Sequence, residues 1–178
     1  MSEKKEKLLR VAERLFYQNG FHAIGLKRII SESDIAIMTL YNHFASKDDL
    51  IVEVLKRREQ QYKKYLRRYL SDDKRLTLLN LAKGHADWLA EHQQCGCMFL
   101  RAKEEFGSDP DHPVVQLVNN HKESMVRLIQ NMDETITDED ALQFTLLLEG
   151  ATALSETTDP KVVGQQLLTM TNRVFLDS

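Results

Sequence analysis

The sequence has few of the residues that interrupt regular structure and few that cross-link it. Its 178 residues include three prolines, seven glycines and two cysteines. The scarcity of proline and glycine favours long helices over short strands joined by turns. Two cysteines do not make the disulfide framework on which small secreted domains depend. We therefore expect a helical protein, long enough for one sizeable hydrophobic core or two small ones.

Long apolar runs and recognisable catalytic motifs are also missing. No stretch approaches the ~18 residues that a membrane-spanning helix needs, and residues 1–7 are charged rather than typical of a secretory signal. The sequence has no glycine-rich phosphate loop, no nucleophile elbow and no paired carboxylates at a plausible site. We therefore expect a cytoplasmic protein that is not an enzyme, needs no cofactor and has no membrane partner.

The net charge of −3 conceals an uneven distribution along the chain. Residues 1–70 contain 15 of the 24 basic residues and 9 of the 27 acidic ones, whereas residues 71–178 contain the remaining 9 and 18. A basic front and an acidic back suit a protein that docks one end on a polyanion. Chance clustering on solvated helix faces would produce the same asymmetry, so charge alone does not identify the partner.

Residues 25–50 predict two short helices separated by a tight break, followed by a third helix. The apolar face of the first helix ends at Ser33-Asp34, and Leu40 and Phe44 mark the inner face of the second at i, i+4 spacing. Six residues form the outer face of the second helix: Ile37, Met38, Thr39, Tyr41, Asn42 and His43. Such side chains suit contact with phosphates and base edges better than a solvated surface.

The same segment carries a resemblance to a known family. It lies in a run of six residues and in three residues that follow it: Thr39-Leu40-Tyr41-Asn42-His43-Phe44, then Ser46-Lys47 and Leu50. These residues resemble the helix-turn-helix of the tetracycline-repressor-like (TetR/AcrR) transcriptional regulators. The specific match covers roughly residues 8–55. The rest of the chain is similar to the family in its length and helical layout.

The resemblance implies an all-α fold with two domains. An N-terminal three-helix helix-turn-helix DNA-binding domain would occupy residues 1–50, and a helical ligand-binding and dimerisation domain would occupy residues 71–178. A fourth helix, at about residues 47–70, would link them. The implied partners are a second copy of the chain and a pseudo-palindromic DNA operator, read in successive major grooves about 34–36 Å apart. The implied location is the cytoplasm, at the nucleoid.

The resemblance also implies which residues contact DNA. Nine positions are candidates: Lys27, Ala36, Ile37, Met38, Thr39, Tyr41, Asn42, His43 and Lys47. Tyr41, His43 and Lys47 are expected at phosphates, with Ser46 capping the next helix. The sequence departs from the family pattern at four sites: Gly25 replaces a threonine, Asp34 a glycine, Ala36 a hydroxyl residue, and Ile37-Met38 a polar-small pair.

Two helices near the C-terminal end are too apolar for the surface of a monomer. They are predicted at about residues 138–155 and 161–176, with caps at Thr137 and Asp140 for one and at Asp159-Pro160 for the other. Pairing with a symmetric copy would make a four-helix bundle, which is how the family dimerises. Seven residues are candidates for this interface: Leu147, Leu148, Ala151, Leu154, Leu167, Leu168 and Val174.

A small-molecule inducer is the expected regulator. It would enter the core of the second domain and lower the affinity for DNA by linkage, so that the protein acts as a repressor. Six residues are candidates for the ligand pocket: His85, Trp88, Phe99, His121, Met125 and Leu147.

The two cysteines suggest alternatives to that function. Cys95 and Cys97 occur in the same part of the sequence as histidines 85, 92, 112 and 121, a combination that suggests a metal site. However, Cys-x-Cys is not the usual zinc spacing, and these histidines fit helical core or cap positions. We therefore predict no metal site. The alternatives are a DNA-binding regulator controlled by a protein partner, a Cys/His metal or redox sensor, and a helical enzyme that uses one of these thiols.

Overall fold

The computed structural model describes residues 3–70, 73, 76–92 and 96–176, and no strand occurs among them. The helices are α1 (Glu3–Asn19), α2 (Leu26–Ser33), α3 (Ile37–Tyr41), α4 (Lys47–Leu66), α5 (Thr77–His92), α6 (Met98–Phe106), α7 (Pro113–Gln130), α8 (Asp138–Leu154) and α9 (Pro160–Phe175). A short 3-10 helix at Arg67–Tyr69 continues α4. The predicted all-α class is confirmed.

The chain folds into two compact units, and neither is a continuous segment. Unit 1 comprises the described part of Met1–Glu59 together with Met98–Asn119, and unit 2 comprises the described parts of Gln60–Cys97 and Asn120–Ser178. Two helices, α4 and α7, therefore contribute to both units. The functional division into residues 1–50 and 71–178 stays a prediction, because compactness alone does not assign a function.

Local sequence signals account for several helix ends. Gly20 follows α1 with a φ of +88°, a left-handed conformation that favours glycine, and its N–H donates to Phe16. Thr137 and Asp140 form the capping box at the start of α8. Asp159 caps α9, with a proline at the first position of that helix. The predicted caps of α8 and α9 are thus confirmed.

Unit 1 encloses a hydrophobic core built by α1 to α4. Ten of its side chains are fully buried: Leu8, Leu15, Phe16, Phe21, Ile24, Ile29, Leu40, Leu50, Ile51 and Val54. Ion pairs tie the outer faces of α1 and α4 together, since the Arg57 guanidinium donates to Glu6 at 2.7 Å and also to Glu13. These contacts hold α1 against α4. The two short helices, α2 and α3, pack on the same core.

Unit 2 is organised by a very close approach of α5 and α9. A Cβ atom placed on Gly164 would lie 2.8 Å from the Cβ of Ala86, which is shorter than real Cβ contacts. The two helices can therefore approach this closely only because position 164 has no side chain. Around this contact α5, α8 and α9 bury Leu81, Phe144 and Leu167. None of the described helices combines the length and the apolar character of a membrane span.

Candidate nucleic-acid interface

The break between α2 and α3 has the geometry of a helix-turn-helix. Ile29, Ile35, Leu40 and Phe44 all point into the core of unit 1. The turn passes through Asp34, whose φ of 52° and ψ of 44° are left-handed. Aspartate tolerates this conformation better than most residues that carry a Cβ, which explains how it can occupy a turn position usual for glycine. The buried residues fix the outer face of α3 toward solvent.

That outer face is unusually apolar for an exposed surface. Ile37, Met38 and Tyr41 are 49%, 67% and 50% exposed. Asn42 is exposed as well, and it is the C-cap residue of α3 rather than a member of the helix. His43 follows in the turn and is half-buried, as is Thr39 within the helix. The structure therefore brings these six candidate residues to one short segment, as expected for a recognition helix.

The starts of α2 and α3 are free of side-chain caps. Gly25 and Ala36 occupy the two N-cap positions, and neither makes a side-chain capping hydrogen bond. Both residues are exposed, as is Lys27 in the first turn of α2. A phosphate at either helix start would therefore meet backbone N–H groups that no capping side chain occupies.

The start of α4 has the opposite character, because its cap is complete. The Asp49 N–H donates to the Ser46 hydroxyl at 3.0 Å, and the Asp49 carboxylate accepts from the Ala45 N–H at 3.1 Å. Lys47 follows the cap with its side chain half-buried. Burial lowers the pKa of the Lys47 ammonium, and the Asp48 and Glu105 carboxylates oppose part of that shift. The role of Lys47 at a DNA phosphate stays a prediction.

Glu105 of α6 is a residue of this unit to which the sequence analysis gave no role. Its two carboxylate oxygens accept from the N–H groups of Phe21 and His22, at 2.9 and 2.6 Å. The His22 Nε2 in turn lies 2.8 Å from the Glu105 carbonyl oxygen. These bonds attach the turn between α1 and α2 to α6, so Glu105 helps to position the helix-turn-helix. A separation of more than 80 residues leaves no local signal from which to predict it.

An ionic cluster holds α2 against α1. Glu32 of α2 pairs with Arg14 of α1 and with Arg28 of its own helix, and hydrogen bonds from both arginines lower the pKa of Glu32. Arg28 therefore has a structural partner, whereas its neighbour Lys27 is the exposed cation of the first turn that was predicted to reach DNA.

The candidate ligand-pocket residues do not all belong to the same unit. Phe99 lies in unit 1, and the others, His85, Trp88, His121, Met125 and Leu147, lie in unit 2. Five of the six are buried, and Leu147 is half-buried. Their common role in binding a ligand stays a prediction.

His85 forms the centre of a buried hydrogen-bond network. Its Nδ1 lies 2.7 Å from the Tyr62 hydroxyl, and its Nε2 lies 3.1 Å both from the Leu148 carbonyl oxygen and from the Thr152 hydroxyl. A carbonyl oxygen can only accept, so Nε2 carries the proton and Nδ1 accepts from Tyr62. Burial lowers the pKa of His85 to about 4, so the ring is neutral at neutral pH. A ligand that reached His85 would have to replace one of these bonds.

The candidate dimer residues differ in burial, and Leu147 and Leu168 are half-buried. Leu148, Ala151 and Leu167 are buried in the core of unit 2, whereas Leu154 and Val174 are exposed. Further exposed apolar side chains lie on the same two helices: Leu142, Leu146, Val162 and Met170. An apolar groove of about 290 Å³ runs between α8 and α9. We call this exposed surface of Leu142, Leu146, Gly150, Leu154, Val162, Met170 and Val174 the α8–α9 face.

The cysteines contribute no recognisable site in the described part of the chain. Cys97 is a free, half-buried thiol whose backbone N–H donates to Glu156 at 3.3 Å. Cys95 lies outside the described residues. Within the described residues, no group of three or more His, Cys, Asp or Glu side chains could hold a metal ion.

The helix-turn-helix segment is similar in sequence to known bacterial regulators. Residues 8–54 match the family model for bacterial regulatory proteins of the tetR family. The transcriptional regulator LmrA of Bacillus subtilis (strain 168) is 35% identical over 71 residues, which are 39% of this chain and 36% of LmrA. QacR of Staphylococcus aureus (strain Mu50 / ATCC 700699) is 36% identical over 58 residues, which are 33% of this chain and 31% of QacR. These matches span about a third of the relatives' own length.

Structural similarity extends over the whole chain. The TetR-family transcriptional regulator SCO4454 from Streptomyces coelicolor superimposes with a TM-score of 0.87 and 29% identity, over 99% of this chain and 96% of that one. The reduced form of E. coli NemR shares the fold, with a TM-score of 0.80 and 18% identity over 99% and 100% of the two chains. Residues 8–54 thus match the tetR family of bacterial regulatory proteins in sequence, and the whole chain shares the fold of a TetR-family transcriptional regulator.

Proposed function

We propose that the protein is a homodimeric repressor that binds a pseudo-palindromic operator and is released from it by a small molecule. The observation that carries the DNA-binding part is the outer face of α3. It exposes Ile37, Met38 and Tyr41, while the inner face is fixed by the buried Leu40 and Phe44. A monomer gains nothing from such exposure, whereas the major groove offers both apolar methyl groups and polar base edges to these side chains.

The proposed contacts assign different tasks to different residues. Ile37, Met38 and Asn42 would reach base edges, with thymine methyl groups as the targets of the first two and adenine as the target of the amide. Another group would hold the backbone phosphates and so set the register on the duplex. This group consists of Lys27, Thr39, Tyr41, His43, Lys47 and the backbone N–H groups after Ala36.

Replacing thymine by uracil in the operator tests the assignment of Ile37 and Met38. Each contacted thymine methyl group that is removed should weaken binding about fourfold, since burying one such group contributes about 0.8 kcal/mol. The operator can be selected from random DNA, and each half-site thymine then replaced in turn. Affinity is measured by fluorescence anisotropy at fixed salt.

The Met38→Ala variant is the control for this experiment. Met38 is exposed, so its truncation leaves the core of unit 1 intact. At the base step that Met38 contacts, the Met38→Ala variant should bind operators with thymine and with uracil equally well, because the truncation has already removed the contact with the methyl group. If no half-site thymine is sensitive to loss of its methyl group, the proposed readout by α3 is wrong.

Lys47→Ala tests the phosphate contact at the start of α4. The variant should bind operator and nonspecific DNA more weakly by similar factors, because a phosphate contact carries no sequence information. The slope of log K against log salt concentration should fall in magnitude by about 0.9 for each subunit. Lys64→Ala on the exposed surface of the same helix is the matched control, and its slope should equal that of the wild type. An unchanged slope for Lys47→Ala would contradict the docking of α4 on DNA.

The release step is supported by the arrangement of buried polar groups in unit 2. The bond between Tyr62 and His85 joins α4 to α5, and the His85 contacts with Leu148 and Thr152 join both to α8. A ligand that competed for one of these bonds would act on α4, the helix that also carries Lys47. A ligand that favours a conformation with low DNA affinity weakens DNA binding. By linkage, DNA weakens the binding of the ligand by the same factor.

A further inference from the structure

A second cleft in unit 2 is lined mainly by polar and charged residues. It lies between the C-terminal end of α4, with its 3-10 extension, and α7, and it encloses about 420 Å³. Eight residues line it: Lys63, Arg67, Asn120, Glu123, Ser124, Arg127, Leu128 and Asn131. We call this cleft the α4–α7 groove. It is separate from the network around His85 and from the α8–α9 face.

The spacing of the lining residues shows that two helix faces are turned toward each other. Asn120, Ser124 and Arg127 recur along one face of α7 at intervals of four and three residues, and Asn131 follows directly after the end of the helix. Lys63 and Arg67 are four residues apart on the facing segment. Facing helices usually fill the space between them with apolar side chains, but Leu128 is the one apolar residue that lines this groove. The side chains between these two helix faces are therefore more polar than in an ordinary helix–helix contact.

The charges of the groove have the sign opposite to that of the unit around it. Residues 60–97 and 120–178 contain more acidic than basic residues, yet three cations and a single carboxylate line the groove. The carboxylate of Glu123 pairs with Arg127 at 3.4 Å, and both side chains are well exposed. An exposed pair of this kind contributes little, so Arg127 can exchange this partner for another anion.

The polar groups of the groove can serve an anion together. Lys63 donates to the Ser124 hydroxyl at 3.2 Å, and this hydroxyl donates to the His121 carbonyl oxygen at 2.9 Å, so the ammonium lies against the α7 wall of the groove. The guanidinium groups of Arg67 and Arg127 match the planar, two-oxygen edge of a carboxylate or phosphate. The side-chain amide of Asn120 adds neutral donors, and that of Asn131 keeps one N–H beyond the one that it donates to the Arg127 carbonyl oxygen at 2.8 Å.

We propose that the α4–α7 groove binds a small molecule that carries carboxylate or phosphate groups. Its volume falls in the range of ordinary ligand pockets, and cations on opposite walls suit a molecule with two anionic ends. Leu128 supplies an apolar floor for the part between them. The site goes beyond the proposed function, and binding of the probes is measured without DNA.

Isothermal titration calorimetry on the full-length protein tests the site with two probes, inorganic pyrophosphate and citrate. Ionic strength is held constant with sodium chloride, so that general screening does not change between titrations. We expect the wild type to bind at least one probe with a dissociation constant below about 1 mM. Arg67→Gln and Arg127→Gln should each weaken that binding about tenfold, since each removes a charge-assisted contact. Both residues are exposed, so the variants should remain folded.

Lys64→Gln is the matched control, because Lys64 is exposed on α4 next to Lys63 but does not line the groove. It should bind the probe within twofold of the wild type. The proposal is wrong if the wild type binds neither probe, or if the two arginine variants bind as tightly as the wild type. It is equally wrong if Lys64→Gln loses as much affinity for the probe as the arginine variants do. It is also wrong if Arg67→Gln and Arg127→Gln instead lower the salt slope of nonspecific DNA binding with no effect on the probes, because the cations would then serve DNA phosphates.

Discussion

Leu146→Asp should convert the protein into a folded monomer that has lost most of its affinity for the operator. Leu146 is 64% exposed at the centre of the α8–α9 face, so the substitution disturbs little of the core of unit 2. In a symmetric dimer it would act twice, each time removing burial that contributes about 1.5–3 kcal/mol and placing a carboxylate in an apolar interface. The dimer dissociation constant should therefore rise by a factor of at least about 100.

Light scattering coupled to size exclusion measures the mass, and titration with whole and half operators measures the consequence for DNA. The monomer should bind a half-site and a whole site with similar affinity, since one subunit supplies half of the base contacts. Leu76→Asp is the matched control, because it makes the same change at an exposed leucine outside the α8–α9 face. A Leu146→Asp protein that stays dimeric and binds the operator like the wild type would rule out this face as the interface.

Gly164→Ala should destabilise the protein although alanine is the better helix former. The added methyl group would lie 2.8 Å from the Cβ of Ala86, so α5 and α9 would have to separate. Overpacking of this kind costs about 1–3 kcal/mol, which outweighs the gain of about 0.5–1 kcal/mol from replacing a helical glycine. Urea unfolding should therefore show a lower free energy of unfolding for the variant.

Gly150→Ala provides the opposite case within the same unit. Gly150 is also inside a helix, but apart from its own helix no heavy atom lies within 4 Å of a Cβ placed there. The variant should gain about 0.5–1 kcal/mol. Both alanine variants should be made in the Leu146→Asp background, so that subunit association does not contribute to the measured stability. Equal effects of the two substitutions would mean that the close approach of α5 and α9 does not limit position 164.

Local patterns in the sequence were sufficient for the elements and for the helix-turn-helix. Leu40 and Phe44 sit one helical turn apart, and this spacing alone identifies the inner face of α3. Thr137 and Asp140 specify the start of α8 through bonds within four residues. The match of residues 8–54 to the tetR family was likewise accessible from the sequence, because it rests on one continuous segment.

Features that depend on residues far apart in sequence were not predictable in the same way. The carboxylate of Glu105 meets the amides of Phe21 and His22 only after the chain has folded. The burial of Leu148 in the core of unit 2 was equally hidden, because α8 is apolar almost all round and its sequence does not indicate which side faces inward. The exposure of Leu146 and Gly150, on which the proposed interface depends, therefore became visible only in the structure.

The interleaving of the two units has a consequence for synthesis on the ribosome. Unit 1 is complete only when residues 98–119 have been synthesised, because Glu105 of α6 accepts hydrogen bonds from the turn after α1. The intervening residues 60–97 take roughly 2–8 s to translate at 5–20 residues per second. During that interval the helix-turn-helix exists without the carboxylate that fixes it, and α5 of unit 2 emerges first. A nascent chain should therefore acquire a correctly held DNA-binding unit late, after part of the unit that follows it has already been made.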